Sequence, residues 1–211
     1  MMIFYIIKIF LLFTFLFSST LYFEADPFQL FYYENEQFNI KEDYLDLNIR
    51  PTLSTNFDNH SDFYFNTWYY YNDNAPNLEN NSNKWVGKGN NLFHSLHYDY
   101  FNQYILFSIE PYLLISENLF FNSQHSDPVF QALNDGYAFS KRPYIDYGIR
   151  ESQFIIHQYN FGIGLSNTNM WWGPGLHNSL HMSNNTSGFN YFFLGTTAEK
   201  RIQSIGYNLK Y

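Results

Sequence analysis

Residues 169–189 gather the side chains of this sequence best suited to chemistry: two adjacent tryptophans, Trp171 and Trp172, followed by Asn178, Ser179, Asn184 and Asn185. The flat apolar face of a tryptophan stacks on the C–H groups of a pyranose ring, while amides and hydroxyls bond its hydroxyl groups, so this set is a candidate carbohydrate site. The same tryptophans could instead wedge an inward-folded loop against a wall, and the residue types leave both roles open. Between the two groups lie Gly173, Pro174 and Gly175, a structural turn in which the glycines accept positive φ and the proline fixes its own. Beyond the turn, Leu176 to Met182 allows about two turns of helix before Asn184, Asn185 and Gly188 stop it.

His177 and His181 are spaced to share a helix face, as metal ligands sometimes are. No carboxylate lies between Glu151 and Glu199 to complete such a site, so hydrogen bonding within the segment is preferred and no metal or cofactor is assigned. The sequence contains no phosphate-binding Walker loop, no Gly-x-Gly-x-x-Gly after a strand, no His-Glu-x-x-His and no Gly-x-Ser-x-Gly, which argues against the common enzyme classes. A glycan hydrolase would need two carboxylates facing one cleft, and no strand offers that pair, so the expectation is a non-enzyme.

Trp-Trp-Gly-Pro-Gly at 171–175, Asn178-Ser-Leu180, Met182-Ser-Asn-Asn185 and Gly188-Phe189 resemble the signature of the Wzi family of capsule assembly proteins. Arg50-Pro51-Thr52, Lys88-Gly89-Asn90, Ser108-Ile-Glu-Pro111, Tyr144-Ile-Asp146 and Leu194-Gly-Thr196 fall in an order similar to that family's. The resemblance spans residues 44 to 200. It implies an outer-membrane β-barrel of porin size that holds capsular polysaccharide or exopolysaccharide at the bacterial surface. A porin-like diffusion channel is the alternative.

Composition is consistent with that implication. Charged residues are 14% of the chain, against roughly a quarter in average soluble proteins, whereas 24 Phe, 20 Tyr and 4 Trp bring aromatics to 23%. Such a balance suits alternating strands with an aromatic face toward outer-membrane lipid. The net charge of −8 repels phosphate backbones, so nucleic acid is not an expected partner. Cysteine is absent, which excludes disulfides, thiolate metal sites and cysteine nucleophiles.

The chain reads in three parts. Residues 1–20, with Lys8, the apolar run Ile9–Phe17 and small Ser18-Ser19-Thr20, have the layout of a secretory signal peptide, with a single membrane anchor as the rival reading. Residues 21–43 form a mature N-terminal segment without a clean period. From 44 to 211, strict alternation dominates. Leu45 to Ser54 and Asp62 to Tyr71 are expected to pair as a hairpin, with 72–91 an exposed loop. Leu92–Tyr100 and Tyr104–Ser116 make a second pair, with Ile105, Phe107, Ile109, Leu113 and Ile115 on one face and Ser108 and Glu110 opposite. Ser126–Gly136 reads as a short capped helix. Phe154 to Ser166 reads as the strand leading into the tryptophans, with Gly162 and Gly164 allowing close backbone approach. Residues 202–211 alternate as a final strand. Asp46, Arg50, Asp99 and Glu110 are expected to line a solvated polar interior. The fold expected is all-β, an antiparallel transmembrane barrel with short helical inserts. About eight strand candidates are present by the alternation rule, so the expectation is the N-terminal part of a barrel, incomplete at the C-terminus.

Overall fold

The computed structural model describes residues 22–23, 49–50, 52–53, 59–76, 81–121, 143–159, 161–173, 175, 179–197, 200–202 and 205–207. Within them every regular element is a strand, and all pairing is antiparallel. The chain runs β1 (Tyr22–Phe23), β2 (Ile49–Arg50), β3 (Thr52–Leu53), β4 (His60–Asn72), β5 (Gly89–Phe101), β6 (Ile105–Ser116), β7 (Tyr144–Gln158), β8 (Phe161–Ser166), β9 (Trp171–Trp172), β10 (Tyr191–Thr196), β11 (Lys200–Ile202) and β12 (Ile205–Tyr207). Six of these form one open sheet in the order β10-β8-β7-β6-β5-β4.

The expected strand periodicity accounts for that sheet. Side chains of successive residues point to opposite faces, and each long strand has a sequence that alternates accordingly. On one face β5 carries Leu92, Leu96, Tyr98 and Tyr100, β6 carries Ile105, Phe107, Ile109, Leu113 and Ile115, and β8 carries Phe161, Ile163 and Leu165. The other face is buried and mostly polar, with Asn91, Ser95, His97 and Asp99 from β5 and Ser108, Glu110 and Ser116 from β6. Two apolar clusters flank those polar groups. Trp85, Phe93 and Leu114 pack with Tyr112 and Tyr144 on one side. Phe101, Leu106, Ile155 and Phe193 pack with Tyr191 on the other.

Several sequence expectations are corrected. The 45–54 strand does not form a hairpin with β4 where it is described: Ile49–Arg50 pairs with Trp172–Trp171, and Thr52–Leu53 pairs with Phe23–Tyr22. The two pieces lie either side of Pro51, which has no N–H to continue a ladder. The 72–91 connection is not simply exposed, since Ser82, Trp85 and Val86 are buried; Trp85 sits edge-on to Tyr144 at 4.9 Å and draws the connection onto the polar face. Phe154 to Ser166 is not one strand but the end of β7 and all of β8, joined at Tyr159, whose φ is 52°. The alternation after 199 is a small hairpin of β11 and β12.

No helix occurs among the described residues. Where a helix was expected after the turn, residues 179–183 are bends and irregular chain, because Leu180 N–H donates to the Trp172 carbonyl (3.0 Å) and Trp172 N–H to that of Met182 (3.3 Å). The signal peptide, Asp46 and the expected helix at 126–136 lie outside the described residues. Gly164 behaves as its type suggested, for a Cβ there would collide with the Phe154 carbonyl oxygen of the neighbouring strand.

Candidate functional site

The buried face is built around a step in the β6–β7 register. Ser108 lies opposite Gln153 and Glu110 opposite Arg150, so one residue of β6 spans the same length as two of β7. This β-bulge has Glu151 at φ 42°, and it turns Arg150 and Glu151, which alternation would send to opposite faces, both into the interior. The hydroxyl of Ser152 replaces the lost ladder bonds: it accepts from Glu110 N–H (3.0 Å) and donates to the Arg150 carbonyl (2.6 Å). Asn167 secures the outer side, accepting from Ser152 N–H at 2.7 Å and donating to the Ile149 carbonyl at 2.9 Å.

The bulge completes a network of five ionisable side chains. His97, fully buried, places Nε2 at 2.8 Å from Asp99 Oδ1 and Nδ1 at 3.3 Å from Glu110 Oε2. Arg150 reaches Glu110 Oε1 at 3.5 Å with one terminal nitrogen and Glu151 Oε1 at 3.3 Å with the other. Tyr64 of β4 covers the His97 ring in parallel at 4.5 Å, and Arg150 lies over the Phe93 ring at 5.6 Å. Three carboxylates therefore share one guanidinium and one imidazole. Burial of any one of these charges alone would be prohibitive, and the mutual pairing makes it tolerable. Asp99 and Glu110 were expected on this face, but as solvated groups; the structure shows them ion-paired and buried. The side chain of Arg50 is outside the described residues.

The Trp-Trp segment is fastened to this network through Asn169. Its backbone N–H donates to Glu151 Oε2 (3.1 Å), and its Nδ2 donates to the Thr186 carbonyl (2.8 Å) and toward Ser82 Oγ (3.4 Å). Ser82 N–H in turn donates to the Asn184 carbonyl at 2.8 Å. One buried amide thus joins the bulge, the segment that follows β8 and the β4–β5 connection. The segment folds across the polar face instead of extending away from it.

Comparison with family models, with curated proteins and with solved structures gives no match.

The predicted sugar-contacting residues are placed unequally. Trp171 has 0% of its surface exposed, and its Nε1 donates to the Gly175 carbonyl at 3.0 Å, so it packs and does not present a face. Trp172 is half-buried, and its ring lies against exposed His181, 5.9 Å away and 20° from parallel. Asn184 is buried, Ser179 is half-buried and Asn185 is exposed; Asn178 and Pro174 lie outside the described residues. Among the described residues the segment thus offers solvent part of the Trp172–His181 pair and Asn185, together with the apolar Leu180 and Phe189. Pairing of β2 with β9 also brings Arg50 opposite Trp171, uniting two motifs far apart in sequence.

Gly173 sets the turn. Its φ is 143°, and a Cβ added there would lie 2.9 Å from the Leu180 backbone nitrogen. Gly173→Ala is therefore expected to cost about 1–3 kcal/mol through strain and to loosen the Leu180–Trp172 hydrogen bond. Denaturation midpoints and faster amide exchange at Leu180 would report it; an unchanged midpoint would show that the turn has another conformation.

Sequence reasoning missed His97, Arg150, Glu151 and Asn169. For His97 a signal existed, since Ser95, His97 and Asp99 occupy alternate positions of one strand. Asn169 owes its role to tertiary placement, and no local pattern marks it.

Proposed function

We propose that this chain is part of an outer-membrane β-barrel that binds or organises capsular polysaccharide or exopolysaccharide at the bacterial surface. The observation that carries the membrane reading is the inversion of the two faces. A sheet stabilised in water buries its apolar face and solvates its polar one. Here Asp99, Glu110, Arg150 and Glu151 are buried, while the opposite face of β4 to β8 and β10 has no Asp, Glu, Lys or Arg and exposes Phe63, Tyr147, Ile149, Ile163, Leu165 and Phe192. Apolar outward and polar inward is the arrangement of a strand in lipid. β4 to β7 have 13, 13, 12 and 15 residues, enough for the roughly 9–11 that a tilted strand needs to span a bilayer.

The capsule reading is supported by the Wzi resemblance of residues 171–189, by the half-buried Trp172 and by the exposed His181 and Asn185 at that segment. Inward folding of the segment favours a filled lumen over the open pore of a diffusion channel. Deleting the gene is expected to reduce cell-bound capsule, and Trp172→Ala to weaken binding of the purified protein to immobilised capsular glycan several-fold. Unchanged capsule together with no glycan binding would end the capsule proposal. Free solute leak through reconstituted vesicles would favour the channel.

A further inference from the structure

The polar face of the sheet is covered on every strand but one. On β5, β6, β7, β8 and β10 each described residue of that face is buried or half-buried. On β4 three successive positions of the same face, Asn66, Trp68 and Tyr70, are exposed. Their register fixes the side on which they lie, since they stand opposite Ser95, Phe93 and Asn91, all buried on the polar face. An outermost place in the sheet does not account for the exposure, because β10, outermost on the other side, buries Phe193 and Gly195.

The exposed row has a defined shape. Trp68 and Tyr70 leave 40% and 51% of their surface open, and their rings lie 6.5 Å apart and 28° from parallel. Lys84 completes it from the β4–β5 connection, with Nζ 4.8 Å from the centre of the Trp68 ring and 5.7 Å from that of Phe93. Buried neighbours hold that lysine in place. Ser82 is bonded to the Asn184 carbonyl, Trp85 packs with Phe93 and Leu114, and the Lys84 N–H itself donates to the Asn81 carbonyl at 2.8 Å. Residues two apart on a strand are about 6.6 Å apart, so Asn66 to Tyr70 extends for about 13 Å, room for more than one sugar ring.

These groups divide the work of holding a saccharide as binding sites commonly do, with aromatic surface for C–H groups and a few placed polar groups for orientation. The Asn66 amide both donates and accepts, which suits hydroxyls, whereas an ammonium only donates and pairs best with an anion. β4 itself contributes no carboxylate after Asp62 to repel one. We propose that Asn66, Trp68, Tyr70 and Lys84 form a second polysaccharide contact, on the polar face, selective for sugars that carry a carboxylate, as uronic acids do. It rests on the reading above that this chain binds polysaccharide, and adds to it a second site and a sugar class. The Ser82–Asn184 hydrogen bond joins the connection carrying Lys84 to the Trp172 segment, so both contacts belong to the same side of the sheet.

Titration calorimetry of the full-length protein folded in detergent tests this, with a soluble oligogalacturonate as the acidic probe and a malto-oligosaccharide of equal length as the neutral one. The parent is expected to prefer the acidic probe. Trp68→Ala and Lys84→Gln should each weaken its binding about tenfold, a loss of one ring or ion contact, and Lys84→Gln should leave the neutral probe unaffected. Tyr70→Ala, at the more exposed ring, supplies the same test if Trp68→Ala does not fold. Undiminished binding of the acidic probe by these variants, or no preference for it in the parent, would overturn the proposal. Loss of all binding in Trp172→Ala with none in Trp68→Ala would overturn the second site and leave the polysaccharide reading standing. Binding of neither probe by the parent would also overturn it, while cell-bound capsule after gene deletion decides the wider reading separately.

Discussion

Ile149→Arg is expected to destabilise the protein in a bilayer by about 2–4 kcal/mol, the cost of a cationic side chain near the middle of the apolar band. Ile149 is 55% exposed, and its β6 neighbour is Pro111, at the level of Leu96. A substitution so exposed would change the stability of a water-soluble sheet by no more than about 0.5 kcal/mol. The two accounts therefore predict different results from one variant. Folding into vesicles measured by urea titration would show a lower midpoint and less assembled protein, and Leu165→Arg should behave in the same way. If both variants assemble and denature like the parent, the apolar face does not meet lipid.

Arg150→Met should have a still larger effect, about 3–5 kcal/mol, because it leaves Glu110 and Glu151 buried without their shared cation. Methionine keeps much of the aliphatic length of arginine, so the loss would reflect charge more than volume. Replacing both acids as well, as Arg150→Met with Glu110→Gln and Glu151→Gln, should recover most of the stability. Denaturant midpoints of the single and triple variants decide the matter. A single variant as stable as the parent would mean that the network is neutralised by other groups. Failure of the triple variant to recover would mean that Arg150 acts mainly through its contact with Phe93.

The long strands were legible because their signal is local: a side chain's face is set by parity alone. Leu92 to Ser116 could be assigned to two strands, and to faces, from the sequence without any knowledge of partners. Even the bulge left a trace. The apolar outward positions of β7 are odd through Ile149 and even from Phe154, which requires one extra residue between them. That phase change passed unread because Arg150, Glu151 and Ser152 are polar and fit either parity. Pairing was less accessible. Residues 49–53 alternate well enough for any neighbour, and nothing local distinguishes β4 from the Trp171–Trp172 strand as partner. The 72–91 connection looked exposed because asparagines dominate it, although Trp85-Val86 within it was a mark of anchoring.

Composition singles out the candidate segment, and propensity misjudges its shape. Leu176 and Leu180 share a helical spacing, yet Gly173 and the Trp172 backbone bonds give residues 179–183 an irregular course instead. The role of Trp171 followed from burial, which no motif encodes. Trp172, the adjacent and chemically identical residue, keeps part of its surface open because it lies on the opposite side of the same short strand.

The most direct test of the central claim is the environment of the apolar face itself. Spin labels attached through single cysteines at Leu113, Ile149 and Leu165, in protein folded into vesicles, should relax readily with dissolved oxygen and resist a water-soluble nickel chelate. The reverse order, with the chelate the better relaxant at all three positions, would show that the face is in water and would contradict the account.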